Sequence, residues 1–246
     1  MNIWIIGNSH TVALRNGKKL LGEDQRNLHA FPLGSGKWAW EEFSELDDSG
    51  VKFSNEHYNK NFSNITKSSY FKADDLYGIC IGGHSPRLYG NQAWRIGKPS
   101  RLATSKDRPF SMGVLDSMIN YDQKYILRFF TLLKKAGVNF FVISTPPPPA
   151  NYRDISKAAE REAIGFIESR ARKVFVEWLA DRDIDYIDMP ENTCTDEGFL
   201  KPEFKLEFRF DGKRDPHHAN PVYGAEVLKC VNRYLDKRIG KDQGHP

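Results

Sequence analysis

Cysteine is scarce. The 246 residues hold three, Cys80, Cys194 and Cys230, odd in number, widely spaced and without a C-x-x-C pair, which argues against a cysteine-ligated metal or a redox motif. Long apolar runs are missing too. None nears the ~18–20 residues of a membrane span, and mean hydropathy is -0.59. The short apolar start lacks the basic flank of a secretory signal. The expectation is a soluble, cytoplasmic protein with no membrane partner. Also lacking is a dense basic stripe. The formal net charge is +4 and is spread along the chain, so no nucleic-acid partner is indicated.

What the chain has is an alternation of short apolar runs with longer helical patterns. Runs near residues 2–6, 27–31, 75–82, 138–144 and 184–188 read as strands. Between them, Met112–Ala136, Asp154–Ala180 and Val222–Ile239 carry apolar residues at helical spacing, and a further helix follows residue 11. Five strands alternating with helices predict a parallel, doubly wound α/β sheet, a three-layer α/β/α sandwich in flavodoxin-like order. The length fits one medium domain spanning 1–246. Lys37 to Phe43 is expected to open the second helix. Residues 47–69, polar and weakly periodic, read as an irregular surface segment. Residues 85–110 are long and basic, with Arg87, Arg95, Lys98, Arg101, Lys106 and Arg108 against Asp107, and read as a lid-like insertion.

The first strand stops at Gly7-Asn8-Ser9-His10 and a helix pattern begins at once. A strand running into a turn and then a helix puts a side chain at the carboxyl end of the sheet, where ligands bind. Ser9 in that place reads either as a helix N-cap or as a nucleophile beside backbone N–H groups. A serine attacking an acyl carbon needs a base, and the base needs an acid to hold its tautomer. Asp215 and His218, three residues apart before the last helix, have the spacing to pair through Nδ1 and leave Nε2 for a partner elsewhere. The plainer readings are a turn aspartate before Pro216 and a solvated histidine. Asp215, His217, His218 and His10 lack zinc-type spacing, so no metal is expected.

These strand ends resemble the blocks of a known family, the SGNH (GDSL-type) hydrolases. Gly7-Asn8-Ser9 matches its Gly-Asp-Ser turn. Gly34, in Phe31-Pro32-Leu33-Gly34, matches the second-block glycine. Gly82-Gly83-His84-Ser85 matches Gly-x-Asn-Asp, and Asp215-Pro216-His217-His218 matches Asp-x-x-His. The blocks occur in the family's order and span nearly the whole chain. The resemblance implies Ser9 as nucleophile, His218 as base and Asp215 as its orienter, with no cofactor. It implies an oxyanion hole of Ser9, Gly34 and His84. Asn8 and Gly83 beside those positions, and Arg87 and Trp94 in the basic lid-like segment, which suits a polar or anionic alcohol, are expected near the substrate. Two residues depart from the pattern: Asn8 replaces Asp, and His84 replaces Asn. Losing one oxyanion donor costs about 3–4 kcal/mol of transition-state stabilisation. The expected activity is hydrolysis of an acyl ester, first of all O-acetyl, on a carbohydrate or other polar alcohol. Acyl transfer by the same three residues, or ligand binding without catalysis, are the alternatives; the oligomeric state is left open.

Overall fold

The computed structural model describes residues 1–22, 27–89, 97–151 and 158–242. Its centre is a parallel sheet of β1 (Ile3–Asn8), β2 (Leu28–Gly34), β5 (Leu76–Cys80), β8 (Asn139–Ile143) and β9 (Tyr186–Ile187). They lie in the order β2-β1-β5-β8-β9, the flavodoxin-like arrangement that the strand pattern predicted. Every side chain of β1 and β5 is buried, because both faces of a parallel sheet are covered by helices.

On one face, Trp4, Ile6, Tyr77, Ile79 and Val142 pack against Phe129, Phe130 and Phe175 from α4 (Met112–Lys135) and α5 (Ala158–Ala180). On the other, Ile3, Ile5, Phe141 and Ile143 meet Leu14, Val227, Leu228 and Val231, from α1 (Thr11–Lys18) and α6 (Pro221–Asp242). The α1–α6 contact depends on two glycines. A Cβ added at Gly224 would lie 1.9 Å from the Ala13 carbonyl oxygen, and one at Gly17 would lie 2.3 Å from the Ala225 nitrogen. With no side chain there, the first and last helices touch backbone to backbone. The loop that opens α6 is thereby held beside the loop that opens α1.

Two expectations are overturned. Residues 47–69 are not irregular. They form most of a hairpin, β3 (Ser44–Asp47) with β4 (Gly50–Phe53), and then α2 (Glu56–Thr66). Asn55 caps α2 by accepting from the Tyr58 N–H at 3.1 Å. Only a few anchors, Val51, Phe53, Tyr58 and Phe62, are fully buried, so polar residues dilute the period. Nor does Lys37–Phe43 open a long helix. A single 3-10 stretch, Gly36–Trp40, is followed by chain that runs into β3. In the 85–110 segment, α3 (Pro86–Tyr89) precedes a small parallel pair, β6 (Gly97–Pro99) and β7 (Arg108–Phe110). Among the described residues, no helix is long and apolar enough to cross a membrane.

Candidate active site

Strand β1 ends by pairing Asn8 with Gly34 of β2, after a register shift at Gly7. The chain then turns through Ser9 and His10 into α1. The Asn8 side-chain oxygen accepts from the His10 N–H at 3.0 Å, and the Ser9 carbonyl accepts from Val12 at 3.2 Å. This Asx-type turn fixes the backbone that carries Ser9.

The loop before α6 approaches from the other side. Asp215 is 2% exposed. Its Oδ1 accepts from the backbone N–H groups of His217 at 2.9 Å and His218 at 2.7 Å. Its Oδ2 lies 2.8 Å from His218 Nδ1. His218 Nε2 in turn lies 2.9 Å from Ser9 Oγ, across 209 positions of sequence. Burial alone would raise the Asp215 carboxyl. The two N–H bonds and the His218 ring instead hold it below the usual carboxylate value. An ionised Asp215 accepts the Nδ1 proton, so neutral His218 offers a lone pair from Nε2 to the Ser9 hydroxyl. The arrangement can take a proton from Ser9.

Ser9 opens on a cavity of about 430 Å³ whose walls include Asn8, His10, Gly36, Trp40, His84 and Arg87. His10, 6% exposed, sits among three other imidazoles, with ring centroids 5.0 Å from His218, 5.6 Å from His217 and 5.8 Å from His84. Burial foremost, then the neighbouring His218, His84, His217 and Arg172, push His10 well below the ordinary imidazole value. It stays neutral and adds no charge beside His218. The sequence drew attention to His10 only as one of several histidines.

The remaining predicted residues divide. His84 reaches the cavity, and its Nδ1 lies 3.3 Å from Glu168 Oε2 on α5. Arg87 does so too. It donates from Nε to Asp122 Oδ1 at 2.6 Å and stands over the Trp40 ring at 5.1 Å. Gly82 and Gly83 both lie against the Phe175 ring, and Gly82 also borders the cavity. Trp94 lies outside the described residues. Gly34 ends β2 with its open side toward the His57 ring, 2.8 Å from where a Cβ would stand. Two residues on, Gly36 lines the cavity and lies against the Asn8 side chain. The loop between them is anchored from α2. Tyr58 OH donates to the Ser35 carbonyl at 2.8 Å, and Asn61 donates to the Leu33 carbonyl at 2.5 Å. Ser35 caps the short helix by accepting from the Lys37 N–H, a local signal that marks a helix start without telling Gly36 from Gly34.

Asp215, His217 and His218 also bring possible ligand atoms within 4.8 Å of one another. Both Asp215 oxygens and His218 Nδ1 are already engaged in the bonds above, so a metal there would compete with them.

No protein-family model and no curated protein sequence matches the chain. Solved structures do. A candidate acylhydrolase from Bacteroides fragilis superposes with a TM-score of 0.52 at 12% identity, over 97% of this chain and 88% of that one. A GDSL-like lipase from Bacteroides thetaiotaomicron gives 0.50 at 12%, over 96% and 88%. A carbohydrate acetylesterase family member from Sinorhizobium meliloti gives 0.50 at 13%, over 98% and 100%. With five parallel strands in this order and Ser9 beside His218 at their carboxyl ends, the chain has the fold of the SGNH (GDSL-type) hydrolases, at only 12–13% identity to these structures.

Proposed function

We propose that the protein is a serine esterase that cleaves an acyl ester, in the first place O-acetyl, of a carbohydrate or similar polar alcohol. The observation that carries this is the unbroken chain Asp215–His218–Ser9, at 2.8 and 2.9 Å, opening on a cavity. Ser9 Oγ attacks the acyl carbon while its proton passes to His218 Nε2. The imidazolium so formed is stabilised by Asp215. Charge developing on the acyl oxygen is met by the Ser9 N–H, the Gly36 N–H and the His84 ring. Gly36 takes the place first expected of Gly34, because Gly36 borders the cavity. The tetrahedral adduct collapses, and His218 gives its proton to the departing alcohol. A water molecule, deprotonated by His218, then releases the acid and restores Ser9.

The alcohol part is read from the walls. Trp40 is 45% exposed and offers an aromatic face, while Lys37 and Arg87 add polar, cationic groups that suit a hydroxylated or anionic substrate. The Sinorhizobium relative, a carbohydrate acetylesterase family member, supports the same direction. Three free cysteines fit a reducing, cytoplasmic setting. The test is release of p-nitrophenol from p-nitrophenyl acetate. Ser9→Ala is expected to abolish it to background, and equal rates for the two proteins would remove the proposal.

A further inference from the structure

Of the described basic residues between 85 and 110, Arg87 alone borders the cavity beside Ser9. Three contacts hold its guanidinium in one pose. Nε donates to Asp122 Oδ1 at 2.6 Å, and Nη2 donates to the Asp122 carbonyl at 3.0 Å. The face of the group lies over the Trp40 ring, 5.1 Å from its centroid. The backbone that carries Arg87 is pinned from the same helix, α4. Gln123, which follows Asp122, donates to Ser85 Oγ at 2.8 Å. The Ser85 carbonyl accepts from the Leu88 N–H at 2.9 Å, and Leu88 packs with Leu115 and Ile119. A cation held this way loses little freedom when a ligand arrives.

The edge that remains is the informative one. A guanidinium presents its N–H donors in a planar fork. Asp122 takes the edge formed by Nε and one hydrogen of Nη2. The outer edge, Nη1 with the second hydrogen of Nη2, has no acceptor among the described residues. Two parallel N–H groups on one edge match the two oxygens of a carboxylate. An arginine that only ties α3 to α4 has no need of a cavity wall, yet this side chain is 33% exposed and borders the space beside Ser9. The charge balance agrees. The lysine, arginine and acidic side chains of that wall are Lys37, Arg87 and Asp122, two cations and one anion, and the anion is engaged by Arg87.

Resting on the esterase reading, we propose that Arg87 selects the substrate. Its outer edge binds a carboxylate on the alcohol part of the ester, so the substrate is an acylated acidic sugar or similar hydroxy acid rather than a neutral alcohol. Asp122 and Trp40 are positioning residues that fix the plane of the guanidinium, and Lys37 adds a second positive charge to the same wall. The carboxylate is held and not altered, and the ester bond is broken at Ser9.

The unsubstituted full chain is given two esters, O-acetylated methyl glucoside and the matching glucuronoside, which differ by a carboxylate at C6. The acidic ester is expected to have a kcat/KM about tenfold higher, the low end for hydrogen bonds to a charged group, and the ratio is expected to shrink as salt is added. Equal values for the two esters overturn the proposal. Arg87→Gln is expected to bring the ratio close to one. A merely structural Arg87 would lower both rates together and leave the ratio as it was, which also overturns the proposal. Should Arg87→Gln fail to fold, calorimetry on Ser9→Ala takes its place. That variant is expected to bind free glucuronate about tenfold more tightly than glucose, and equal affinities overturn the proposal. The same binding measurement keeps the two readings apart. Undiminished p-nitrophenyl acetate turnover by Ser9→Ala sinks the esterase, whereas the preference for glucuronate is read without any turnover.

Discussion

Replacing Asp215 by Asn tests the proposed reaction at its most constrained point. Asp215 accepts three hydrogen bonds, two from backbone N–H groups on Oδ1 and one from His218 on Oδ2. An asparagine can keep its oxygen on the two backbone donors, which leaves its NH2 facing His218 Nδ1. The ring must then accept at Nδ1 and carry its proton on Nε2. That nitrogen now donates to Ser9 Oγ instead of taking its proton, and the nucleophile is no longer activated. Wrong-tautomer substitutions of this kind lower kcat about 10⁴-fold, equivalent to about 5 kcal/mol of barrier. Stability changes far less, about 1 kcal/mol, because the backbone bonds that shape the loop survive. Asp215→Ala behaves differently, since it strands both N–H groups and costs about 1–3 kcal/mol of folding stability for each left buried. The assay is p-nitrophenyl acetate turnover, with urea denaturation of both variants alongside. Asp215→Asn within tenfold of the unsubstituted kcat would refute the proton path. So would a loss of activity no greater than the loss of folded protein.

Four further outcomes are expected. Gly224→Val drives a side chain into the Ala13 carbonyl and is expected to cost about 1–3 kcal/mol by overpacking, read as a lower urea midpoint with reduced kcat; an unchanged midpoint contradicts the close helix contact. Tyr58→Phe removes the bond to the Ser35 carbonyl and is expected to cost about 1 kcal/mol and to lower kcat by loosening Gly36, whereas unaltered kcat and Tm would separate that tyrosine from the site. Trp40→Ala is expected to raise KM for an acetylated sugar about 2–10-fold, the range of one aromatic contact, and to leave p-nitrophenyl acetate nearly unaffected; equal effects on both substrates count against sugar stacking. Asp215 has a folded-state value below 3.8, so its stabilising contribution is complete above 3.8 and is lost as pH falls through the lower folded value. Tm of the unsubstituted protein should therefore drop more steeply below about pH 4 than Tm of Asp215→Asn, and parallel curves would refute that assignment.

The sheet was legible because buried parallel strands are near-continuous apolar runs, and β1, β5 and β8 are plainly so. The pairing of Ser9 with His218 was also foreshadowed, since Asp215 and His218 carry their own local spacing. Segments that bury only a few anchors were harder. The hairpin and α2 hide four fully buried apolar residues, Val51, Phe53, Tyr58 and Phe62, among many polar ones, and their period is lost. Gly34 and Gly36 could not be ranked, because pairing across the sheet, not local sequence, points one toward His57 and the other toward the cavity. Glu168 and Arg172 were the least visible. An acid and a base four apart on a helix ordinarily read as a solvated surface pair, yet Glu168 and Arg172 are 3% and 8% exposed and pair at 2.6 Å. Their partners, His84 for Glu168 and Ser144 for Arg172, lie 84 and 28 positions away.

The backbone contact at Gly17 and Gly224 has a bearing on how the protein comes into being. During synthesis Ser9 leaves the ribosome early, while Asp215, His218 and the helix that seats them follow some two hundred residues later. Until α6 docks against α1, the Ser9 hydroxyl lacks its contact with His218, and the proposed esterase has no means of starting work on a half-made chain.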